Sequence, residues 1–465
     1  MIGTRIAPSP TGFFHIGTAR TALFNYLFAK KLNGEFLLRI EDTDTERSKK
    51  IYEDNIIDGL KWLGLNWDGE IIRQSDRTAI YKKHLRKLID ERKAFYCFHT
   101  LAELKEEQKE QELRKLPYKH DCEHKNLTES KIKAEGGENS IIRLINPNRK
   151  ITFSDTVRGE IVFDSDLLGD LSLAKNLDNP LYNFAVVVDD HEMEISHVLR
   201  GEDHLSNTPK QILIQEALGF EQPEYAHLPL ILGTDRSKLS KRHGATFVGE
   251  YREQGYLPEA MLNFMALLGW HPNTNQEIFS LAELIKEFDL ARVQKGGAIF
   301  DINKLNSINH HYIKNTVPAE LAKALKPHLA KYNPDENFLI KTARLFRDRL
   351  QKFSEIGELA GFIFDLPNYE TKTLIWKNTE PQKIKENLET ILSKIEKISP
   401  ADFNIDTLST GIMPLANEQG RGEFLWPLRA ALSGLDKSPG PFEIMAVLGQ
   451  EESLRRIKQA VKKLS

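Results

Sequence analysis

Three stretches carry residue types whose spacing could do chemistry. The first is Pro8-Ser9-Pro10-Thr11-Gly12-Phe13-Phe14-His15-Ile16-Gly17-Thr18. A turn that opens a helix leaves free backbone N–H groups aimed at one point, which suits an anion. His15 adds a side-chain donor, and Gly17 allows close backbone approach. Taken alone, His-Ile-Gly is an ordinary turn tripeptide. The second stretch is Ser237-Lys238-Leu239-Ser240-Lys241-Arg242-His243-Gly244, with three cations and two hydroxyls in its first six residues. Flanked by Gly233 and Gly244, it suits a loop that grips phosphate oxygens; taken alone, it is a solvated basic loop. The third pairs Cys97-Phe98-His99 with Cys122-Glu123-His124. Two thiolates and two imidazoles can close a tetrahedral zinc site, with Cys97, His99, Cys122 and His124 as the set and His120 competing as fourth ligand.

The elements around the first stretch are readable. Thr4 to Ala7 reads as a short strand stopped by Pro8 and Pro10. Thr18 to Lys31 has apolar residues at helical spacing, Gly34 ends it, and Glu35 to Ile40 reads as a second strand. Strand, turn, helix, strand is a βαβ unit, so parallel pairing is expected. Ile51 to Leu63 reads as another amphipathic helix. From about Arg92 the texture changes. Leu101 to Leu116 is a highly charged helix, and Ile141–Leu144 with Ile161–Phe163 read as antiparallel strands of an insertion with its own small sheet. Ala185-Val186-Val187-Val188 reads as a buried strand that resumes the parallel sheet and ends at Asp189-Asp190. Beyond Gly244 the pattern is mainly helical. Arg344, Arg347, Arg349 and Lys352 cluster on one stretch, and Arg455, Arg456, Lys458, Lys462 and Lys463 make a basic face on the last helix.

Composition bounds the possibilities. The 465 residues suggest about three folded units, and 40% hydrophobic with 28% charged residues is ordinary globular material. A net charge of −3 excludes a histone-like basic coat, so any nucleic-acid contact must use local patches. No apolar run approaches a membrane span, and the first residues lack a signal-peptide pattern. Two cysteines exclude a disulfide scaffold. A cytoplasmic protein with no membrane partner is expected.

The His-x-Gly turn and the Lys-x-Ser-Lys loop together resemble the two signatures of class I aminoacyl-tRNA synthetases. The resemblance sharpens to the glutamyl-tRNA synthetase family of bacterial type. Arg5-Ile-Ala-Pro-Ser-Pro-Thr-Gly, Leu38-Arg-Ile-Glu-Asp-Thr-Asp, Tyr182-Asn-Phe-Ala-Val-Val-Val-Asp-Asp, Leu199-Arg-Gly-Glu-Asp-His and Phe424-Leu-Trp-Pro-Leu-Arg-Ala-Ala-Leu-Ser-Gly all look like its segments. They run in order from Arg5 to about Gly449. Two positions depart from the pattern: Thr18 replaces the second His of the first signature, and Ser307 stands where the family usually has Trp.

The resemblance implies a Rossmann-type α/β catalytic domain with an α+β insertion, followed by all-α C-terminal domains. The expected divisions are 1–90 and 181–235 for the two catalytic halves, and 91–180 for an inserted acceptor-binding domain. Residues 236–317 would form the signature loop and stem-contact domain, and 318–465 a helical anticodon-binding domain. The implied activity is ATP-dependent attachment of L-glutamate to its tRNA through glutamyl-adenylate, with Mg²⁺ accompanying ATP and a structural zinc in some members. Arg5, Ala7, Ser9, Glu41, Tyr182 and Arg200 would bind glutamate. Thr11, His15, Gly17, Lys238, Ser240, Lys241 and Arg242 would bind ATP, with His15, Lys238 and Lys241 catalytic. A monomer is expected. An enzyme that also charges glutamine tRNA is an open alternative; a paralogue that glutamylates queuosine would lack the helical last third, a small-molecule adenylyltransferase would need neither the insertion nor that third, and an inactive tRNA-binding protein should have lost His15 or Lys241.

Overall fold

The computed structural model describes residues 1–44, 46–135 and 139–464. Ser465, the last residue of the helical region expected over 318–465, lies outside the described residues. The chain divides into two compact units, residues 1–252 with 258–302, and residues 253–257 with 303–465.

In the first unit β1 (Gly3–Ile6), α1 (Ile16–Lys31) and β2 (Glu35–Ile40) form the expected βαβ, followed by α2 (Lys50–Trp62) and β3 (Ile72–Arg73). β1, β2 and β3 pair in parallel. After α3 (Thr78–Asp90) the insertion contributes β4 (Ala94–Cys97), α4 (Leu101–Leu113), α5 (Leu127–Glu135) and β5 (Ile141–Leu144). It continues with β6 (Lys150–Asp155), β7 (Gly159–Asp164), β8 (Leu171–Asn176) and β9 (Asn179–Pro180). The catalytic fold resumes with α6 (Tyr182–Glu192), β10 (His197–Gly201), α7 (Thr208–Leu218), β11 (Glu224–Leu228) and β12 (Ile231–Leu232). Then come α8 (Val248–Gln254), α9 (Pro258–Leu267), α10 (Leu281–Glu287) and β13 (Ala298–Ile299).

Two readings from sequence are corrected. Residues 185–188 are helical, inside α6, and not a strand. Every residue from Phe184 to Asp190 is buried, so the helix shows no polar face and its valine run imitates a core strand. The strand that resumes the parallel sheet is β10, which pairs in parallel with β11. Ser196 N–H donates to the Gly3 carbonyl oxygen at 3.0 Å, bringing the start of β10 beside β1. Likewise Ile141–Leu144 and Ile161–Phe163 do not share a sheet. β4, β5, β8 and β9 form the antiparallel sheet of the insertion, whereas the β6–β7 hairpin joins β11 through the parallel pair Tyr225–Asp155.

The second unit is helical: α11 (Ile302–Asn315), α12 (Pro318–Leu325), α13 (Glu336–Phe346), α14 (Ile356–Leu359), α15 (Gly361–Phe364), α16 (Pro381–Ile395), α17 (Ile405–Gln419), α18 (Arg421–Ser433), α19 (Pro441–Leu448) and α20 (Gln450–Lys463). Leu321, Phe346, Ile391, Leu428 and Ile457 belong to its core. The basic face read on the last helix is only partly a face. Arg456 is buried and donates to the carbonyls of Phe362, Leu432 and Ile363, so it serves the core. Arg344 and Arg349 are exposed, as is Ser307.

Candidate active site

The turn after β1 is built by its neighbours. Phe14 N–H donates to Asn55 Oδ1 on α2 at 2.9 Å, and Gly59 of α2 lies against the Phe14 ring, where a Cβ would come within 2.5 Å. His15 then caps α1. Its backbone is extended, and its Nδ1 accepts the Gly17 N–H at 3.0 Å. This assigns the ring proton to Nε2. Burial, then the charge of Lys238, lowers the His15 pKa, so the ring is neutral near pH 7 and presents Nε2–H as a donor.

A cleft of roughly 480 Å³ opens at this point. It is lined by Arg5, Ala7, Ser9, His15 and Gly17 from the first half of the sheet, and by Glu41 at the end of β2. Tyr182, Arg200 and Lys238 line it from the second half. Thr11, Ser240, Lys241 and Arg242 do not line it. Thr11 N–H donates to the Ser9 carbonyl at 2.8 Å within the turn. Lys241 is exposed, with Nζ 5.1 Å from the centre of the Phe247 ring, whose residue is bridged to His15. Arg242 Nη2 and the His243 ring are drawn to Asp235, at 3.2 and 3.1 Å, so the loop is held in part by its own acid. Ser240 Oγ lies 3.3 Å from His243 Nδ1. Lys238 Nζ lies 3.7 Å from Asp203 Oδ2, a weak and exposed pairing.

At the other end of the cleft sits a buried charge network that the sequence did not reveal. Asp190 Oδ1 accepts from Arg5 Nε at 2.9 Å and from Arg39 Nη1 at 2.7 Å, and Asp190 Oδ2 accepts from Arg5 Nη2 at 3.1 Å. Arg39 Nη2 donates to Glu41 Oε1 at 3.1 Å. Asp189 accepts from Gln74, Arg77 and Tyr81. Burial opposes charge on Asp190, but Arg5 and Arg39 outweigh it and hold its carboxyl down at about 2. For Glu41 burial wins over Arg39 and raises its pKa, so this carboxylate has room for a further cation. Arg39 could have been suspected, because a charge between Leu38 and Ile40 in an apolar strand needs a partner.

Arg200 is different. It is 6% exposed, and its hydrogen-bond partners are His227, Gln211 and Thr208, none of them an anion. Burial lowers its pKa, an effect the Arg39 network overcomes with acids. Tyr182 Oη lies 3.0 Å from His204 Nδ1, and burial followed by Arg200 lowers the His204 pKa to about 4, keeping that ring neutral.

A family model described as "tRNA synthetases class I (E and Q), catalytic domain" matches residues 1–307, and an "Anticodon binding domain" model matches 320–461. Glutamate–tRNA ligase of Carboxydothermus hydrogenoformans is 44% identical, over 98% of this chain and 99% of its own length. Glutamate–tRNA ligase of Aquifex aeolicus is 43% identical, over 100% of this chain and 99% of its own. The crystal structure of a glutamate tRNA ligase from Elizabethkingia meningosepticum in complex with its amino acid superposes with a TM-score of 0.90 at 34% identity, covering 100% of both chains. The chain belongs to the glutamate–tRNA ligase family of class I tRNA synthetases.

This family member carries a second cluster in its insertion. Ligand atoms of Cys97, His99, His120 and Cys122 all lie within 4.8 Å of one another. Cys97 Sγ is 3.5 Å from His99 Nδ1 and 3.6 Å from His120 Nε2, and Cys122 Sγ is 3.6 Å from His99 Nδ1. A zinc tetrahedron with nitrogen and sulfur ligands has edges of about 3.3–3.8 Å, which these three distances match. His124 Nδ1 is 3.5 Å from Cys122 Sγ but accepts the Phe98 N–H at 3.3 Å, which occupies its lone pair. His120 Nδ1 lies 2.6 Å from Glu107 Oε2 on α4, the outer-sphere carboxylate that commonly orients a metal-binding imidazole. The charged helix thus supplies a carboxylate to the cluster.

Proposed function

We infer that this chain activates L-glutamate with ATP and transfers it to the terminal adenosine of glutamate tRNA. The observation that carries the substrate choice is Arg200, a buried guanidinium on the cleft wall with only neutral partners. Glutamate brings one net negative charge and glutamine none, so glutamate completes the charge balance that Arg200 leaves open. Glu41 pairs the α-ammonium, Arg200 receives a carboxylate, and Arg5, Ala7, Ser9 and Tyr182 shape the same end of the cleft.

In the first step an α-carboxylate oxygen attacks the α-phosphorus of ATP. The bond to the bridging oxygen breaks, and pyrophosphate leaves with both electrons. His15 Nε2–H and the N-terminus of α1 hold phosphate oxygens. Lys238, Lys241 and Arg242, with Thr11, Gly17 and Ser240, complete the nucleotide contacts as the loop draws in. Mg²⁺ accompanying ATP would offset phosphate charge. In the second step the ribose 2′-OH attacks the acyl carbon, AMP leaves, and the hydroxyl proton passes to solvent or phosphate. No protein nucleophile is needed; positioning and charge stabilisation supply the catalysis.

Zinc, held by Cys97, His99, His120 and Cys122, would fix the fold of the insertion and take no part in the chemistry. The insertion over 91–180 is read as the acceptor-end binder, 236–317 as the stem contact and 318–465 as the anticodon reader, in a cytoplasmic monomer. The test is glutamate-dependent ATP–pyrophosphate exchange with and without tRNA, with glutamine and aspartate as controls. Exchange with glutamate that requires tRNA is the expected result. Exchange equally supported by glutamine would overturn the role given to Arg200.

A further inference from the structure

Behind Arg200 stand two residues that do not line the cleft. His227, on β11, is fully buried, and Asp155, at the end of β6, is 2% exposed. Asp155 Oδ2 lies 2.6 Å from His227 Nδ1 and accepts the His227 backbone N–H at 3.0 Å. Asp155 Oδ1 accepts the backbone N–H groups of Val157 and Arg158 at 3.0 and 2.7 Å. Burial works against the Asp155 charge, but the His227 bond and these N–H donors prevail and lower its pKa. An ionised acceptor at Nδ1 places the ring proton there and leaves Nε2 as an acceptor.

That Nε2 faces Arg200. Arg200 Nε approaches it at 3.2 Å and Thr208 Oγ1 at 3.0 Å. Arg200 Nη1 donates to Gln211 Oε1 at 2.8 Å and Nη2 to Thr208 Oγ1 at 2.7 Å. Each guanidinium nitrogen thus spends one N–H on a neutral acceptor, and one further N–H on each Nη remains for a ligand.

We propose that Asp155 and His227 are positioning residues for the amino-acid substrate, holding Arg200 by a neutral ring nitrogen so that its charge is oriented without being cancelled. The contrast with Arg39 shows why a neutral acceptor matters. Arg39 is bound by Asp190 and Glu41, and its charge is spent inside the protein. An acid at position 227 would do the same to Arg200 and remove the preference for a carboxylate over an amide. The insertion participates, since Asp155 comes from the β6–β7 hairpin and meets β11 at Tyr225.

The inference rests on the reading that Arg200 receives a substrate carboxylate, and the experiment separates the two. His227→Met removes the acceptor, His227→Gln restores one near the Nε2 position, and Arg200→Gln removes the receptor. Each is assayed by ATP–pyrophosphate exchange with tRNA present, measuring KM for glutamate and for ATP separately. Losing a hydrogen bond to a charged group should raise the glutamate KM of H227M on the order of tenfold. The ATP KM should stay within about twofold, discrimination against glutamine should fall by a similar factor, and H227Q should recover most of the loss. An unchanged glutamate KM in folded H227M, a parallel rise in both KM values, or a folded H227Q that recovers nothing would each overturn the proposal. If R200Q also leaves glutamate KM unchanged, the reading of Arg200 falls with it; if R200Q raises it and H227M does not, only the positioning role falls. The unmodified protein supplies a test independent of variant folding. Histidine ¹⁵N spectra should show His227 protonated at Nδ1 and bare at Nε2 near pH 7, and the opposite tautomer would overturn the proposal.

Discussion

His15 Nδ1 accepts the Gly17 N–H at 3.0 Å, so one contact caps α1 and fixes which ring nitrogen carries the proton. The cleft then receives a neutral donor beside the helix N-terminus and beside Lys238. A Cβ on Gly17 would lie 3.3 Å from that Nδ1, crowding the bond that sets the tautomer.

His15→Ala should therefore reduce ATP–pyrophosphate exchange by about 100-fold, the usual scale for one preorganised donor to a developing anion. His15→Asn, which keeps a capping oxygen and an N–H donor, should lie between the two. Steady-state exchange at saturating glutamate and tRNA measures this. An H15A enzyme within a few-fold of the parent would remove His15 from the phosphate contacts.

Asp190 bridges Arg5 and Arg39, so Asp190→Asn leaves two buried cations short of a partner and should cost about 3 kcal/mol. The pH dependence has a definite sign. The Asp190 carboxyl is lowered from 3.8 to about 2, so its ionisation stabilises the fold fully above about pH 4, and this contribution is lost as pH falls towards 2. The contribution is about 2 kcal/mol at neutral pH, and the stability gap between parent and D190N should narrow by roughly 1 kcal/mol at pH 3. Glu41, whose pKa burial raises, acts with the opposite sign; the Asp190 charge adds to that rise, so its loss in D190N offsets a part of the narrowing. Urea melts at pH 7 and pH 3 test this, and a gap that does not change with pH counts against an ionised Asp190.

Much of the catalytic half is legible in the sequence, because the turn after β1 is punctuated by Pro8, Pro10 and Gly12 and flanked by clear strand and helix patterns. Arg5, Glu41, Tyr182 and Arg200 were reached through the family resemblance, and the fold does bring them to one cleft. Their partners were not reachable. Asp190 lies 185 positions from Arg5, in a helix buried from Phe184 through Asp190, so that no polar face marks its period. Asp155 and His227 belong to strands that pair across an insertion boundary, and local patterning holds no record of that pairing. The Cys/His spacing located the cluster but took His124 for the fourth position with His120 as competitor, whereas the ligand atoms that gather include those of His120, and His124 Nδ1 accepts the Phe98 N–H, a contact that spacing does not record.

That choice gives a sharp metal prediction. Protein purified without chelator should hold one zinc per chain. His120→Ala and Cys97→Ser should lose it, and His124→Ala should keep it. Chelation should lower the melting temperature and expose the segment from Cys97 to Lys125 to proteolysis, since a structural site lends its binding energy to local folding. Glu107→Gln should weaken metal affinity by 10-fold or more, the usual scale for an outer-sphere partner. Elemental analysis of the four variants decides the ligand set, and full zinc in H120A would return the fourth position to His124.

Lys238 and Lys241 divide the signature loop between them. Lys238 lines the cleft, whereas Lys241 is exposed and rests over the Phe247 ring, beside His15 but outside the cleft wall. If the loop draws in on ATP, Lys241 must leave that ring to reach the departing pyrophosphate. Lys241→Ala should then cut exchange by about 100-fold at saturating ATP while leaving the melting temperature of the free protein unchanged, because an exposed side chain adds little to stability. Phe247→Leu removes the resting contact together with the ring's edge packing on Phe13 and His15, leaves the Lys241 ammonium in place, and should cost far less. Single-turnover formation of glutamyl-adenylate in the two variants measures the difference. Equal losses in both would mean that Lys241 acts from its resting place over the ring, and that closure of the loop is not part of the chemistry.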